Sequence, residues 1–356
     1  MPGGQLSLFG DDPGAGRGRA ARRPVEPAAQ PDAVSRLAAG LPPRIRLGTS
    51  SWSFPGWVGL VYAAPAGRPP TETALAREGL AAYAAHPLLR TVSLDRTFYA
   101  PLPAAEFARY AAQVPDGFRF VVKAPAAFTD PFVRRPGSAM AVRDNPSFLD
   151  AAAAAMFVEP ATAGLGAKAG PLVFQFPPLG RRLLADLGRT IARIAAFLAT
   201  LHHGPAAERP LLALEVRDPE LCSAEMAAAL RDAGAVPCLA IHARMPPVAE
   251  QAAAFGLDRA GCDGPLVARW NLHAGRGYEE ARADYFPFDR LVEEDEPTRH
   301  ALARLAAGAA AAGRDAFITI NNKAEGSAPW SVLRLAEAIA SRAASAPGHG
   351  EPLRDR

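Results

Sequence analysis

The chain has 356 residues, of which 49% are hydrophobic, and a formal net charge of +3, which suits one large α/β domain or two smaller ones. Seven arginines and four acidic residues fall within residues 1–46, and this difference of three accounts for the whole net charge. The body of the chain is therefore close to neutral, and global charge gives no argument for a nucleic-acid-binding protein. No apolar run is long enough to span a membrane and no N-terminal segment resembles a signal peptide, so we expect a cytoplasmic protein.

Cysteine and lysine are both scarce. The three cysteines form no CxxC pair, which indicates reduced thiols: Cys222, Cys238 and Cys262. Of the 39 basic residues only three are lysines: Lys123, Lys168 and Lys323. Two of these lysines follow predicted strands, where a compact ammonium could hold an anion or take part in proton transfer.

Residues 1–43 are rich in Gly, Pro, Ala and Arg without periodicity, and we predict a disordered tail. Within this tail, the pentapeptide QLSLF at residues 5–9 resembles the motif by which bacterial replication and repair proteins bind the sliding clamp. In that interpretation Leu8 and Phe9 fill an apolar pocket of the clamp and Gln5 forms a hydrogen bond at its rim, and Leu6 belongs to the same partner-binding peptide. The alternative is a chance apolar group in a tail. The arginines that follow could contact DNA or an acidic partner, or could belong to a solvated linker: Arg17, Arg19, Arg22 and Arg23.

From residue 44 onwards, short β-branched and apolar runs alternate with segments of helical periodicity. The predicted strands are 44–50, 91–95, 118–123, 172–176, 211–216, 236–241, 265–269 and 316–320. The predicted helices are 71–85, 104–113, 146–158, 181–201, 222–233, 297–312 and 331–344, with an irregular connection over 126–144. Eight strands alternating with helices predict a single α/β domain, a (β/α)₈ TIM-type barrel over residues 44–343, followed by a frayed end at 344–356.

Several common catalytic and nucleotide-binding motifs are absent from the sequence. There is no GxGxxG and no GxxxxGK[ST], so a dinucleotide-binding or P-loop fold has no support. There is no HExxH or GxSxG either, and the cluster at residues 49–51 lacks the glycines of a nucleophile elbow.

Six segments, in this order, give the chain a resemblance to the YecE-like family, a domain of unknown function (family 72). They are LGTSSW at 47–52, RTFY at 96–99, FRFVVKAP at 118–125, VFQFPP at 173–178, LEVR at 214–217 and the Asn pair at 321–322. The resemblance spans residues 45–342 and implies a TIM-type barrel, but it implies no activity. The chain departs from the family pattern in having Ser51 in place of a glycine and Ser93 where the family often has a glutamate.

In a barrel of this type, the residues that follow the strands line one mouth. The residues predicted there are Ser50, Trp52, Asp95, Tyr99, Lys123, Gln175, Glu215, Arg217, Arg269, Asn271, His273, Asn321, Asn322 and Lys323. Cations outnumber acids in this set, which favours an anionic ligand such as a phosphate or carboxylate. All four tryptophans also follow predicted strands, and aromatic walls suit a sugar-like or base-like ligand: Trp52, Trp57, Trp270 and Trp330.

Glu215 is the best candidate for a general base, because burial in an apolar strand is expected to raise its pKa. The alternative is a structural ion pair with Arg217, since residues two apart on a strand share a face. Lys123 could be an anion clamp or an imine-forming lysine, and Lys323 a second cation at the site. Asn321 and Asn322 follow a buried strand, where amides serve either as ligand contacts or as turn residues.

No cofactor is predicted. A metal site is conceivable from His242, His273, Glu215 and Asp95, although the surrounding cations would oppose a divalent ion. Three hypotheses remain: an enzyme that performs acid–base chemistry on a phosphorylated, sugar-like or nucleotide-like anion, a non-catalytic binding module, and a metal-dependent nuclease-like barrel. Metal dependence separates the third hypothesis from the other two.

Overall fold

The computed structural model describes residues 24–64, 68–134, 141–202, 209–259 and 261–345. Its strands are β1 Ile45–Thr49, β2 Leu89–Leu94, β3 Arg119–Lys123, β4 Phe132–Arg134, β5 Ala141–Asp144, β6 Ala169–Gln175, β7 Leu212–Glu215, β8 Ala235–Ile241, β9 Leu266–Trp270 and β10 Ala316–Ile320. Its helices are α1 Asp32–Gly40, α2 Glu72–Glu78, α3 Leu80–Ala84, α4 Ala104–Ala111, α5 Ala126–Thr129, α6 Ala151–Leu165, α7 Arg181–Leu184, α8 Leu187–Ala199, α9 Ala224–Asp232, α10 Val248–Phe255, α11 Tyr278–Tyr285, α12 Glu296–Ala311 and α13 Ala328–Ser345.

Eight of the strands form a closed parallel barrel in the order β1, β10, β9, β8, β7, β6, β3, β2. Strands β4 and β5 form a separate antiparallel hairpin in the connection between β3 and α6. The predicted (β/α)₈ barrel is therefore confirmed. No helix in the described ranges is long and apolar enough to cross a membrane.

Alternation along the strands divides the apolar residues into two cores. One side chain from each of six strands fills the barrel interior: Val121, Val173, Ala213, Cys238, Val267 and Phe317. The intervening residues, such as Phe120, Leu172 and Phe174, belong to a larger cluster that packs against the surrounding helices. Position along a strand therefore decides which side chains point into the barrel.

The boundary predicted for the tail needs correction, because Asp32–Gly40 forms helix α1 within residues 1–43. Ala38 of this helix is buried in the main core, and Val34 and Leu37 pack against it. Burial of this apolar face stabilises a segment whose composition alone suggests disorder. The clamp-like peptide at residues 5–9 lies outside the described residues.

Several predicted elements differ from the structure in extent. The segment predicted as one helix over 71–85 is two helices that meet at Gly79, and a cap at Asp186 begins α8 after the shorter α7. Helix α6 begins after the capping residue Asp150 and continues through Pro160 to Leu165, beyond the predicted end at 158. The connection predicted as irregular contains α5 and the β4–β5 hairpin, and α10 and α11 have no counterpart in the prediction.

Candidate functional site

A charged layer lies directly above the apolar layer of the barrel interior. Two residues after Val121, Ala213 and Val267, the same strand faces carry Lys123, Glu215 and Arg269. A step of two residues keeps a side chain on the same face of a strand, so these groups project into the barrel at its carboxyl end. The change from apolar to charged residues therefore marks the floor of the mouth.

Glu215 lies at the centre of this layer and is fully buried. Its Oε2 accepts a hydrogen bond from Nη1 of Arg269 at 2.7 Å, and its Oε1 forms an ion pair with Nη2 of Arg217. Nδ2 of Asn271 lies 3.4 Å from Oε1, and the Cys238 thiol lies 4.0 Å from Oε2. The carboxylate is thus enclosed by donors from three neighbouring strands or strand ends.

Arg269 joins this glutamate to a second carboxylate. Its Nη2 donates to both oxygens of Asp95 at 2.8 Å, and the Ser93 hydroxyl donates to Oδ1 of Asp95 at 2.6 Å. Ser93, where the resemblance leads one to expect a glutamate, therefore orients Asp95, an acidic residue that directly follows the end of β2.

The expectation that burial raises the pKa of Glu215 is wrong. Burial does favour the neutral form, but the Arg217, Arg269 and Lys123 cations together outweigh it and hold the pKa at about 2. A carboxylate with so low a pKa is a poor proton acceptor near neutral pH. Glu215 is therefore placed to hold two arginines, which is the structural alternative to the general base.

Lys123 has a different environment from the arginines around it. Its Nζ lies 3.6 Å from the centroid of the Phe98 ring, and among the described residues no carboxylate lies within ion-pair distance of it. Burial lowers the pKa of this ammonium to about 8. The Asp95 and Glu215 carboxylates raise the pKa, but the Arg269 and Arg217 cations oppose them.

Lys323 is a second lysine with a perturbed pKa, and it is buried. Its Nζ donates to Oδ1 of Asn321 at 3.2 Å and lies 4.4 Å and 6.0 Å from the ring centroids of Tyr278 and Phe288. Burial lowers its pKa to about 8, and Arg282 lowers it further against the opposing effects of Glu279 and Asp95. Lys123 and Lys323 thus both interact electrostatically with Asp95, which places them at the same mouth.

The four cations Lys123, Arg217, Arg269 and Lys323 face two carboxylates, Asp95 and Glu215, so four minus two leaves a formal excess of two positive charges. In addition, Nη1 of Arg217 is buried and has no hydrogen-bond acceptor among the described residues. A buried donor without a partner requires a ligand or solvent to satisfy it. Both features match an anionic ligand.

The four residues considered for a metal site do not come together in the described structure. Across the ranges that the structure describes, no three His, Cys, Asp or Glu side chains form a group that could hold a metal ion, so His242, His273, Glu215 and Asp95 are not assembled into one. The ring of His273 contacts its neighbour Ala274 through Nδ1 at 2.8 Å and lies 3.8 Å from Glu293. Burial lowers the pKa of His242 to about 4, so its imidazole is neutral at pH 7.

The tryptophans predicted as ligand walls mostly serve the core. Trp57 and Trp270 are fully buried, and Trp52 is nearly so, with its indole N–H donating to the carbonyl of Leu75 at 3.0 Å. The fourth, Trp330, donates its indole N–H to the carbonyl of Asp289. These contacts correct the expectation of an aromatic wall built from tryptophan.

The two asparagines after β10 have different surroundings. Oδ1 of Asn322 accepts hydrogen bonds from the Trp57 indole at 3.1 Å and from the backbone N–H of Ala328 at 2.8 Å, so Asn322 holds the start of α13. Asn321 instead contacts Lys323 and follows the last barrel strand. Of the pair, only Asn321 is placed beside a mouth cation.

Three further predicted residues lie around the mouth. The hydroxyl of Ser50 is buried without a partner among the described residues, and Gln175 is paired in register with Glu215. Tyr99 is 64% exposed, and burial of part of its ring together with nearby Asp95 raises its pKa.

Sequence analysis missed Phe98 beside Lys123 and Tyr278 beside Lys323. Phe98 lies within a segment already identified by the resemblance, whereas Tyr278 lies on α11, a helix that is absent from the prediction.

Comparison with known proteins identifies the family without an activity. A family model described as "Protein of unknown function DUF72" matches residues 46–353. A DUF72 family protein from Enterococcus faecalis is 15% identical, with a TM-score of 0.54 over 83% of this chain and 95% of that one. Another, from Thermotoga maritima, is 18% identical, with a TM-score of 0.53 over 83% and 98% of the two chains. No curated protein matches. Because the family model covers most of the sequence, the chain belongs to the DUF72 family.

Proposed function

We propose that this protein is an enzyme that performs acid–base chemistry on an anionic small molecule, phosphorylated and sugar-like or nucleotide-like, bound at the carboxyl-end mouth of the barrel. The observation that supports this most strongly is the excess of cations over carboxylates around buried Glu215. Arg217 and Lys323 hold the negative group, because Arg217 has a donor without an acceptor and Lys323 has no carboxylate partner among the described residues.

Lys123 is the proton-exchanging group in this proposal, and Glu215 is not. An acid–base catalyst works best when its pKa is close to the working pH. The pKa of Lys123, about 8, meets that condition, whereas the pKa of Glu215, about 2, does not. Glu215 and Asp95 then have a positioning role, because they fix the two arginines beside the lysine.

Inorganic phosphate is the simplest probe of the proposed anion site. We expect phosphate at millimolar concentration to raise the thermal midpoint of the full chain, because a ligand that binds only the folded state stabilises it. Lys323→Met should weaken the apparent affinity about tenfold, equivalent to about 1.4 kcal/mol. Lys168→Met is the matched control, because Nζ of Lys168 donates to the carbonyls of Ala111 and Val114 away from the mouth.

The pH dependence of this binding has a predictable sign. Lys123 and Lys323 lose their charge as the pH rises through about 8, so phosphate affinity should fall between about pH 7.5 and about pH 9.5. If Lys323→Met bound phosphate as tightly as the wild type, Lys323 would not belong to the anion site. If the phosphate affinity of the wild type did not change over this pH range, neither lysine would contribute its charge to binding.

A non-catalytic binding module would also bind phosphate, so catalysis needs a separate measurement. Incubation of phosphorylated aldoses and ketoses with the protein in D₂O tests proton abstraction directly, since exchange at the carbon beside the carbonyl is visible by mass spectrometry. We expect exchange in the wild type and in Lys168→Met but not in Lys123→Met. Phosphate binding without any exchange would favour the binding module.

The N-terminal peptide supports a second proposal, recruitment of the protein to the bacterial sliding clamp in the cytoplasm. A labelled peptide of residues 1–17 should bind purified clamp with micromolar affinity, about −8 kcal/mol. The same peptide with Leu8→Ala and Phe9→Ala should not bind, because both apolar anchors are removed. Equal binding of the two peptides, or binding of neither, would exclude recruitment through this motif.

A further inference from the structure

The distribution of lysine in this chain is uneven in a way that points to amine chemistry. Of 39 basic residues, 36 are arginines and three are lysines. Two of the three lysines lie at the mouth, and both have a pKa near 8. A guanidinium supplies charge and hydrogen bonds but does not lose its proton under these conditions, whereas a lysine can become a neutral nucleophile.

The three lysines differ in what their amino groups contact. Lys168 donates to two backbone carbonyls, at 2.9 Å and 2.7 Å, and lies 3.5 Å from Asp116. Lys323 donates to the side chain of Asn321 at 3.2 Å and is 6% exposed. Of the three, Lys123 differs in that the contact described for its amino group is with an aromatic ring, that of Phe98. A ring does not donate a hydrogen bond to nitrogen, so the lone pair is available for reaction once the amino group loses a proton.

The position of Lys123 is fixed by its backbone. The Thr97 hydroxyl donates to its carbonyl oxygen, and the N–H of the next residue, Ala124, donates to the carbonyl of Val173 at 2.9 Å. The Lys123 side chain therefore extends from a rigid strand end, and only rotation about its own bonds can move the amino group. Positioning on a rigid element is what a nucleophile needs for a defined attack geometry.

We propose that Lys123 forms an imine with an aldehyde or ketone group of the anionic ligand. This inference rests on the proposed function, because the cations of the mouth hold the negative group of the same ligand. Here Lys123 serves the acid–base chemistry as the imine nitrogen, whose positive charge makes the neighbouring C–H acidic, and not as a free amine base. After Lys123 releases one proton to solvent, its nitrogen lone pair attacks the carbonyl carbon, and one N–H proton passes to the carbonyl oxygen, which gives a neutral carbinolamine. The hydroxyl then takes up a proton from solvent and leaves as water while the nitrogen forms a double bond to carbon, which gives the protonated imine, so no oxidant or reductant is required.

The charges around Lys123 suit each stage of this reaction. With a pKa of about 8, about a tenth of the amine is neutral at pH 7, against fewer than one in a thousand at the ordinary value of 10.5. Arg217 and Arg269 disfavour the ammonium, and Asp95 lies near enough to stabilise the positive charge of the protonated imine. Phe98 covers one side of the amino group, which leaves the carbonyl compound to approach from the mouth.

Reductive trapping tests the proposal on the full-length protein. Glyceraldehyde 3-phosphate or pyruvate is added with sodium cyanoborohydride, which reduces an imine to a stable secondary amine, and the adduct is located by peptide mass spectrometry. Only three lysines and the N-terminal amine compete, so the result is unambiguous. We expect at least tenfold faster labelling of Lys123 than of Lys168, with labelling at that position abolished in Lys123→Arg and unchanged in Lys168→Met.

The Lys123→Arg variant also separates this proposal from the anion site itself. Arginine keeps a positive charge at the mouth but cannot form an imine, so this variant should still be stabilised by phosphate and still fold. Phosphate binding in the wild type without a Lys123 adduct would overturn imine formation and leave the anion site standing. Equal labelling of Lys123 and Lys168 would also overturn the proposal, because it would show ordinary amine reactivity.

Discussion

Glu215→Gln should lower the free energy of unfolding by about 3–5 kcal/mol at pH 7, which is a large effect for a change of one atom. The carboxylate is fully buried and accepts hydrogen bonds or ion pairs from Arg269 and Arg217, which are themselves nearly buried. An amide keeps the shape but removes the negative charge, and it leaves two guanidinium groups facing each other in the barrel interior. Urea unfolding of the variant and the wild type measures the difference.

The size of this effect should depend on pH in a defined direction. The folded-state pKa of Glu215 is lowered from 4.5 to about 2, so its contribution is fully present above the unfolded value and is lost as the pH falls towards 2. The stability difference between wild type and Glu215→Gln should therefore stay constant from pH 7 to about pH 5 and become smaller at lower pH.

Glu337→Gln is the matched control for this experiment. Glu337 forms an ion pair with Arg334 at 3.1 Å, but both side chains are almost half exposed. Exposed pairs of this kind contribute little, so the control should change stability by less than about 0.5 kcal/mol at any pH. A Glu215→Gln variant that behaves like this control would show that the two arginines do not depend on the carboxylate.

The sequence predicts the barrel well because its signals are local. Each of the eight barrel strands overlaps a predicted strand, and β10 has the predicted limits of Ala316 and Ile320. The carboxyl ends of the predicted strands also place Lys123, Glu215 and Arg269 at the mouth before any contact is known. Helices α10 and α11 are absent from the prediction because each has only eight residues. The buried residues Val248, Ala252 and Phe255 of α10 have helical spacing, but two turns are too short for that spacing to stand out.

The electrostatics of the mouth could not be predicted in the same way. The pKa of Glu215 is lowered most by Arg217, a pairing that the sequence offers as an alternative, and then by Arg269, which is 54 residues away and is itself held by Asp95, 174 residues further from it along the chain. An apolar strand that contains a glutamate indicates a raised pKa, and closure of the barrel adds Arg269 and Lys123 to the nearby Arg217. Pairings between distant strands are set by topology rather than by local sequence.

Gly48→Ala is the second substitution expected to have a large effect, with a loss of at least about 3 kcal/mol of stability. Gly48 lies in β1 opposite Thr91 of β2, at a register shift in the barrel wall. A Cβ at this position would lie 1.8 Å from the carbonyl oxygen of Thr91 and 2.6 Å from its carbonyl carbon. Because these are backbone atoms of a neighbouring strand, no side-chain rotation can relieve the overlap.

Gly308→Ala in α12 provides the opposite expectation for the same chemical change. A Cβ at Gly308, which is exposed on α12, would meet no described atom within 4 Å apart from its chain neighbours and the backbone of its own helix. Alanine should therefore stabilise the protein by about 0.5–1 kcal/mol through its higher helix propensity. Chemical unfolding of the two variants beside the wild type compares them directly. If Gly48→Ala were as stable as the wild type, β1 and β2 could not approach as closely as described. A large loss of stability in Gly48→Ala, together with a gain in Gly308→Ala, would show that barrel closure requires the glycine of the LGTSSW segment. Gly48 would then have a structural role that is independent of the chemistry at the mouth.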